Sequence, residues 1–206
     1  TKGGGPRQWV IDPVDGTRNY VRGIPVWATL IALLDEGEPV MGVASAPALG
    51  MRWFASKGEG AWKGRHIKDA TRIHVSRRDT IGDATMSYAS LAGWERIGLL
   101  PAFLDLTRQL WRTRAFGDFW SYMMVAEGIV EIAAEPDLQI YDMAALVTIV
   151  EEAGGKFTSL DGSRAPFGGN ALATNGLLHS AALAALRPPA STPPASTPPA
   201  SSKPSG

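Results

Sequence analysis

The residues of this sequence best suited to chemistry are two carboxylates three positions apart, Asp12 and Asp15, in the stretch Trp9-Val10-Ile11-Asp12-Pro13-Val14-Asp15-Gly16-Thr17-Arg18-Asn19-Tyr20. Proline stiffens the backbone between them and glycine lets it bend, so both side chains can face one point. Such a pair suits a hard cation. Mg²⁺ prefers oxygen ligands in octahedral geometry, keeps several waters, and is bound by a few carboxylates together with a substrate phosphate. Gly16 and Thr17 supply matching contacts for an anion. A glycine lets backbone N–H groups approach a phosphate closely, and the neighbouring hydroxyl can donate to a phosphate oxygen or orient a water. Taken alone, Asp-Pro followed by Asp-Gly is equally a turn that closes a strand.

The elements that must position these groups follow from the pattern around them. Trp9, Val10 and Ile11 form an apolar run that reads as a buried strand, ended by Asp12-Pro13. Ile24 to Leu34, a turn at Asp35 to Pro39, and Val40 to Pro47 read as a strand, a turn and an antiparallel strand, with two more strands near Met51 to Ala55 and Gly60 to Trp62. Further strands are expected at Ile73 to Ser76, Ala84 to Tyr88 and Val130 to Ala134. Pro101 to Trp111 has helical spacing and reads as a packing helix. Gly117-Asp118 precedes a helix over 119–127, with Asp118 as its N-cap. Asp142 opens the most regular helix, in which Met143, Leu146, Val147, Val150 and Ala153 recur until Gly154-Gly155 stops it; as a cap it is worth about 1 kcal/mol. Lys156 to Thr158 and Ala171 to Thr174 read as strands, and Gly176 to Leu186 as a closing helix.

Composition sets outer limits. The chain has 206 residues, 45% of them hydrophobic, enough for one or two compact cores. Twenty basic residues balance twenty acidic ones, which argues against binding nucleic acid by broad phosphate neutralisation. With no cysteine there is no disulfide framework, thiolate zinc site or cysteine nucleophile. No run is long and apolar enough to span a bilayer, so the expected location is the cytoplasm, away from membranes. There is no GxSxG elbow, and His66, His74 and His179 read as surface or packing residues. From Pro188 the chain is a repeat of Pro, Ala, Ser and Thr that reads as an extended, disordered tail.

Asp-Pro-Val-Asp-Gly-Thr-Arg-Asn-Tyr resembles the DP(I/V/L)DGTxN(F/Y) signature of the inositol monophosphatase family of Mg²⁺-dependent phosphatases. The resemblance extends through Val43 to Trp62 and through Tyr141-Asp142-Met143-Ala144-Ala145 to Glu152-Ala153-Gly154-Gly155. It covers residues 7 to 187, and Gly117-Asp118-Phe119-Trp120 is similar to the bacterial histidinol-phosphate phosphatase branch. The resemblance implies an αβαβα layered sandwich of α+β and α/β character. It implies that Asp12, the Val14 carbonyl, Asp15 and Asp142 hold two or three Mg²⁺ ions, that Gly16 and Thr17 hold phosphate, and that Thr17 and Asp15 serve catalysis by a metal-activated water. It places Asp118, Phe119 and Glu135 against the substrate, where acidic groups favour a positively charged amino alcohol over a neutral polyol. Family members are usually homodimers.

The expected division is a flexible N-terminal loop (1–6), an antiparallel-sheet half carrying the DPVDGT loop (7–112), an α/β half carrying Asp142 (113–187) and the tail (188–206). The family's upstream glutamate and an earlier acidic residue do not lie in this sequence, so the expectation is a fragment without its N-terminal helices. The expected function is hydrolysis of a small phosphorylated substrate, L-histidinol phosphate, in histidine biosynthesis. The alternatives are an inositol or sugar monophosphatase of the same family, or a catalytically impaired fragment that serves as a binding module.

Overall fold

The computed structural model describes residues 5–187, so the expected tail and most of the N-terminal loop lie outside the described residues. The chain opens with β1 (Arg7–Asp15), a short α1 (Thr17–Val21), and then β2 (Ala28–Asp35), β3 (Glu38–Ala46), β4 (Met51–Ser56), β5 (Gly60–Gly64) and β6 (Thr71–Ile73). These six strands pair in sequential order, antiparallel throughout. Short polar turns between apolar runs allow no other pairing so cheaply, because neighbours in sequence close the smallest loops.

The second half runs β7 (Thr85–Ser87), α2 (Leu91–Arg96), α3 (Leu100–Gln109), β8 (Arg112–Arg114), α4 (Asp118–Ala126), β9 (Ile132–Glu135), α5 (Ile140–Glu152), β10 (Lys156–Thr158), β11 (Ala171–Thr174) and α6 (His179–Leu186). Its sheet has the order β10-β11-β9-β7-β8, with β7 parallel to both β8 and β9. The two sheets therefore divide the chain between Ile73 and Thr85, earlier than the boundary at 112 expected from the sequence. The reason is that β7 and β8 are three residues each and pair in parallel across two intervening helices, a pairing that no local periodicity announces.

Helices α4 and α5 lie between the sheets. Both are apolar nearly all round, as a helix covered on two sides must be: α5 buries every residue from Met143 to Val150. The main core joins them to the inner face of the first sheet through Leu30, Leu34, Trp53, Phe119, Met123, Leu146 and Phe157. A second core under α2, α3 and α6 is built from Met86, Trp94, Phe103, Leu106, Ile132 and Leu172, with Trp94 stacked on Phe103 at 4.5 Å. The layers thus run sheet, helix pair, sheet, helices, the layered α/β sandwich.

One close approach sets the height of α5 on the first sheet. A Cβ added to Gly42 of β3 would come within 2.2 Å of the Ala145 carbonyl oxygen, so the helix backbone rests on the strand backbone. Only glycine permits that distance.

The buried strand expected at Trp9 to Ile11 is half correct. The strand forms, but it is the sheet edge, and Trp9 and Ile11 are 57% and 54% exposed on the face away from α5. An edge strand has a neighbour on one side only, so its outward side chains lack the lateral cover a central strand provides.

Candidate active site

The end of β1 brings its two carboxylates to one side by a β-bulge. Asp12 pairs with Leu30 and Asp15 with Ala28, so three steps on β1 match two on β2. In a regular strand residues three apart point to opposite faces; the extra residue turns Asp15 back to the inner side, where both carboxylates are buried. The chain then turns at Gly16, whose φ is 77° and whose added Cβ would lie 2.8 Å from the Val26 carbonyl oxygen.

Asp142 arrives on α5, the helix packed directly against the first sheet. It is the third residue of α5 rather than its N-cap, because the helix begins at Ile140. Its Oδ2 accepts a 2.7 Å bond from the Gln139 N–H, the reach-back half of a capping box. One oxygen from each of Asp12, Asp15 and Asp142 lies within 4.8 Å of the others.

Each of the three has one oxygen committed to the backbone. Val14 N–H donates to Asp12 Oδ1 at 3.0 Å and Phe119 N–H donates to Asp15 Oδ2 at 2.8 Å, in parallel with the Gln139 bond to Asp142. The carboxylates are thereby oriented before any ligand arrives. The Thr17 hydroxyl donates to the Val14 carbonyl at 2.8 Å, so it can accept a hydrogen bond from a water but has no proton left to give.

All nine residues singled out in the sequence line one cleft of about 470 Å³: Asp12, Val14, Asp15, Gly16, Thr17, Asp118, Phe119, Glu135 and Asp142. Two of them sit differently from expectation. The Phe119 side chain is fully buried against Trp53, with ring centres 5.9 Å apart, so it offers the cleft a backbone N–H already taken by Asp15 rather than a substrate contact. Asp118 heads α4 without capping it, and its Oδ2 accepts instead from Asn19 Nδ2 at 2.7 Å. Tyr122 lines the cleft too and escaped notice in the sequence, where it reads as one more core residue among Met123, Met124 and Val125. The available signal was chemical: a tyrosine in a buried helix must find a partner for its hydroxyl.

The electrostatics are those of a site awaiting positive charge. Burial pushes the Asp15 carboxyl well above the ordinary carboxylate range, against the Phe119 N–H and with help from Asp118, Asp142 and Asp12. Burial lifts Asp142 to about 6, opposed by the Gln139 N–H and aided by Asp12. Glu135 is raised strongly by burial and by the charges of Asp118 and Asp15, and burial raises Asp118 against the pull of Arg18. Glu135 Oε1 and the Tyr122 hydroxyl are buried with no hydrogen-bond partner of good geometry among the described residues, although they lie against each other. Unpaired buried polar atoms beside crowded carboxylates fit a hard cation and a polar ligand, and oxygen-only donors suit Mg²⁺ better than a soft metal.

Comparison with known proteins agrees with this geometry. The model of the inositol monophosphatase family matches residues 1–190. The histidinol-phosphatase of Streptomyces coelicolor is 60% identical over 188 residues, 89% of this chain and 71% of the relative. That of Mycobacterium tuberculosis is 54% identical over 180 residues, 87% of this chain and 69% of the relative. A solved inositol monophosphatase from Zymomonas mobilis superimposes with a TM-score of 0.83 at 29% identity, covering 90% of this chain and 72% of that one. With the bulged carboxylate strand, the facing helix and the layered sheets all in place, the chain belongs to the inositol monophosphatase family.

Proposed function

We propose that the chain is a Mg²⁺-dependent phosphomonoesterase that hydrolyses L-histidinol phosphate to L-histidinol and phosphate. The observation that carries this reading is the convergence of Asp12, Asp15 and Asp142, from a strand end and a helix start 127 positions apart in sequence at Asp15 and Asp142, in one cleft with two further acidic residues, Asp118 and Glu135. Two considerations support the substrate: the two relatives described above, at 60% and 54% identity, bear the name histidinol-phosphatase, and acidic residues beyond the carboxylate cluster suit an alcohol that carries an ammonium group.

Asp12, Asp15, Asp142 and the Val14 carbonyl would hold the cation. When bound, it supplies the positive charge that polarises the ester phosphate, acidifies water and stabilises the departing alkoxide. The chain's own residues do the rest. The backbone bonds to Asp12, Asp15 and Asp142 fix the orientation of each carboxylate, one oxygen of which would be offered to the cation. Thr17, its proton given to Val14, accepts a hydrogen bond from the attacking water and aligns it. The N–H groups of Gly16 and Thr17, at the start of α1 where a helix has no internal partners for them, meet a phosphate oxygen. Glu135 and Asp118 face the amino end of the alcohol. Water is the nucleophile, and no side chain is phosphorylated. A cytoplasmic homodimer with two or three ions per protomer completes the reading, supported by family resemblance; among the described residues no helix is long and apolar enough to cross a membrane.

The test is phosphate release from L-histidinol phosphate and from inositol 1-phosphate, each with Mg²⁺ and with chelator. Faster release from the histidinol ester, abolished by chelator, is expected. Preference for the inositol ester would replace the substrate, and release that chelator leaves untouched would overturn the metal requirement.

A further inference from the structure

Asp118 occupies a backbone conformation that side chains avoid. Its φ is 52°, directly after Gly117 at 73°. For a residue with a Cβ this left-handed region costs about 1 kcal/mol or more, so something must hold Asp118 there. An aspartate at the head of a helix ordinarily folds back to cap the free N–H groups. This one reaches across the chain to Asn19, 99 positions away, whose Nδ2 donates to its Oδ2 at 2.7 Å. The same nitrogen donates to the Val26 carbonyl at 3.0 Å. Asn19 is therefore a bracket, fixed to the segment before β2 on one side and to the head of α4 on the other.

The bracket sits where two clefts meet. Asp118 and Glu135 line the 470 Å³ cleft of the carboxylate cluster and also an adjoining cleft of about 520 Å³ bordered by Arg18, Asn19, Arg96 and Phe116. The chemistry of the bracket matters as much as its place. An arginine or lysine in this role would cancel the Asp118 charge; a neutral carboxamide orients the carboxylate and leaves its charge whole. Arg18, one residue away in sequence and exposed, acts on Asp118 through its charge but forms no ion pair or hydrogen bond with it among the described residues.

We infer that Asn19 is a positioning residue for substrate selection: it holds the Asp118 carboxylate, uncancelled, at the seam between the two clefts, where it selects phosphomonoesters whose alcohol is cationic. This rests on the phosphatase reading above and adds the device by which the site distinguishes amino alcohols from neutral polyols.

The test is a cycle of Asn19→Ala, Asp118→Ala and the double variant, with kcat and KM measured for L-histidinol phosphate and inositol 1-phosphate in Mg²⁺. In Asn19→Ala the ratio of kcat/KM for the cationic over the neutral ester is expected to fall roughly tenfold, chiefly through the KM of the cationic ester. The double variant is expected to fall no further than Asp118→Ala, because Asn19 acts through Asp118. A ratio unchanged in Asn19→Ala, or penalties that multiply in the double variant, would overturn the inference and leave the phosphatase reading standing. If the wild-type chain releases phosphate from neither ester, that reading fails instead. The bracket is then decided by calorimetric binding of L-histidinol and of inositol, where Asn19→Ala must weaken the first selectively. Should Asn19→Ala melt early, Asn19→Ser, too short to span to Asp118, takes its place with the same two outcomes.

Discussion

The backbone N–H of Phe119 donates to Asp15 Oδ2 at 2.8 Å, joining positions 104 residues apart. It locks the head of α4 to the bulged end of β1 and holds a buried carboxylate by a dipole that leaves its charge uncompensated. The fold thus presents Asp15 at a cost in stability that a cation would relieve.

Asp15→Asn keeps an oxygen to accept from Phe119 but removes the charge. Without Mg²⁺ the variant should melt above the wild type, since a buried, crowded carboxylate has become neutral. Its melting point should no longer respond to Mg²⁺, and turnover should drop more than about a hundredfold. Thermal scans with and without Mg²⁺, run beside phosphate release, check all three.

Tyr122→Phe tests the orphaned hydroxyl. The group is fully buried with no partner of good geometry among the described residues, so its removal should stabilise the free protein by about 1 kcal/mol. If the hydroxyl meets substrate, KM rises in the same variant. Urea titration reads the first effect and steady-state kinetics the second; a destabilised variant would contradict the unpartnered state of the hydroxyl.

Gly42→Ala should be among the most damaging single-methyl changes in the first sheet. The new Cβ would meet the Ala145 carbonyl oxygen at 2.2 Å, and backbone against backbone cannot yield by a rotamer change. A loss of about 3 kcal/mol in urea unfolding is expected. Because Asp142 rides the same helix, Mg²⁺ affinity should fall in whatever fraction stays folded.

His179 makes stability depend on pH at a place remote from the carboxylate cleft. Thr158 gives its hydroxyl proton to the Ser159 carbonyl and so accepts from Nε2–H at 2.9 Å, while Nδ1 takes the Thr174 hydroxyl at 3.0 Å. The neutral ring is satisfied, and burial, with Lys156 nearby, lowers its pKa to about 4. The folded value lies below the unfolded one, so this contribution is complete above about pH 6.5 and is lost as pH falls toward 4, up to about 3 kcal/mol. The raised carboxylates act in the opposite direction, so the quantity to measure is the difference in unfolding free energy between wild type and His179→Gln from pH 7 to 4. A difference that stays constant across that range would contradict the neutral assignment.

Much of this site was legible before any coordinates. The run from Asp12 to Tyr20 contains carboxylates, glycine and hydroxyl within a few positions, and local chemistry suffices to read it. Asp142 was harder: by itself it is indistinguishable from a helix cap, and only its wider pattern tied it to the cluster. The Asn19 to Asp118 bond was hidden, because nothing local to either residue names a partner 99 positions away. Short strands were missed or shifted for the same reason. β8 is three residues with two arginines, held in place by its partner β7 rather than by any propensity of its own. Exposure of Trp9 and Ile11 also could not be read from an apolar run, since apolarity does not say whether a strand is central or an edge.

The bulge between Asp12 and Asp15 makes the length of that turn a matter of parity. Inserting one residue into β2 between Ala28 and Leu30 would pair out the bulge, restore regular alternation past Asp12 and carry Asp15, three positions on, to the opposite surface. A chain one residue longer in β2 could retain each acidic residue, fold its sheets, and still have dismantled the site.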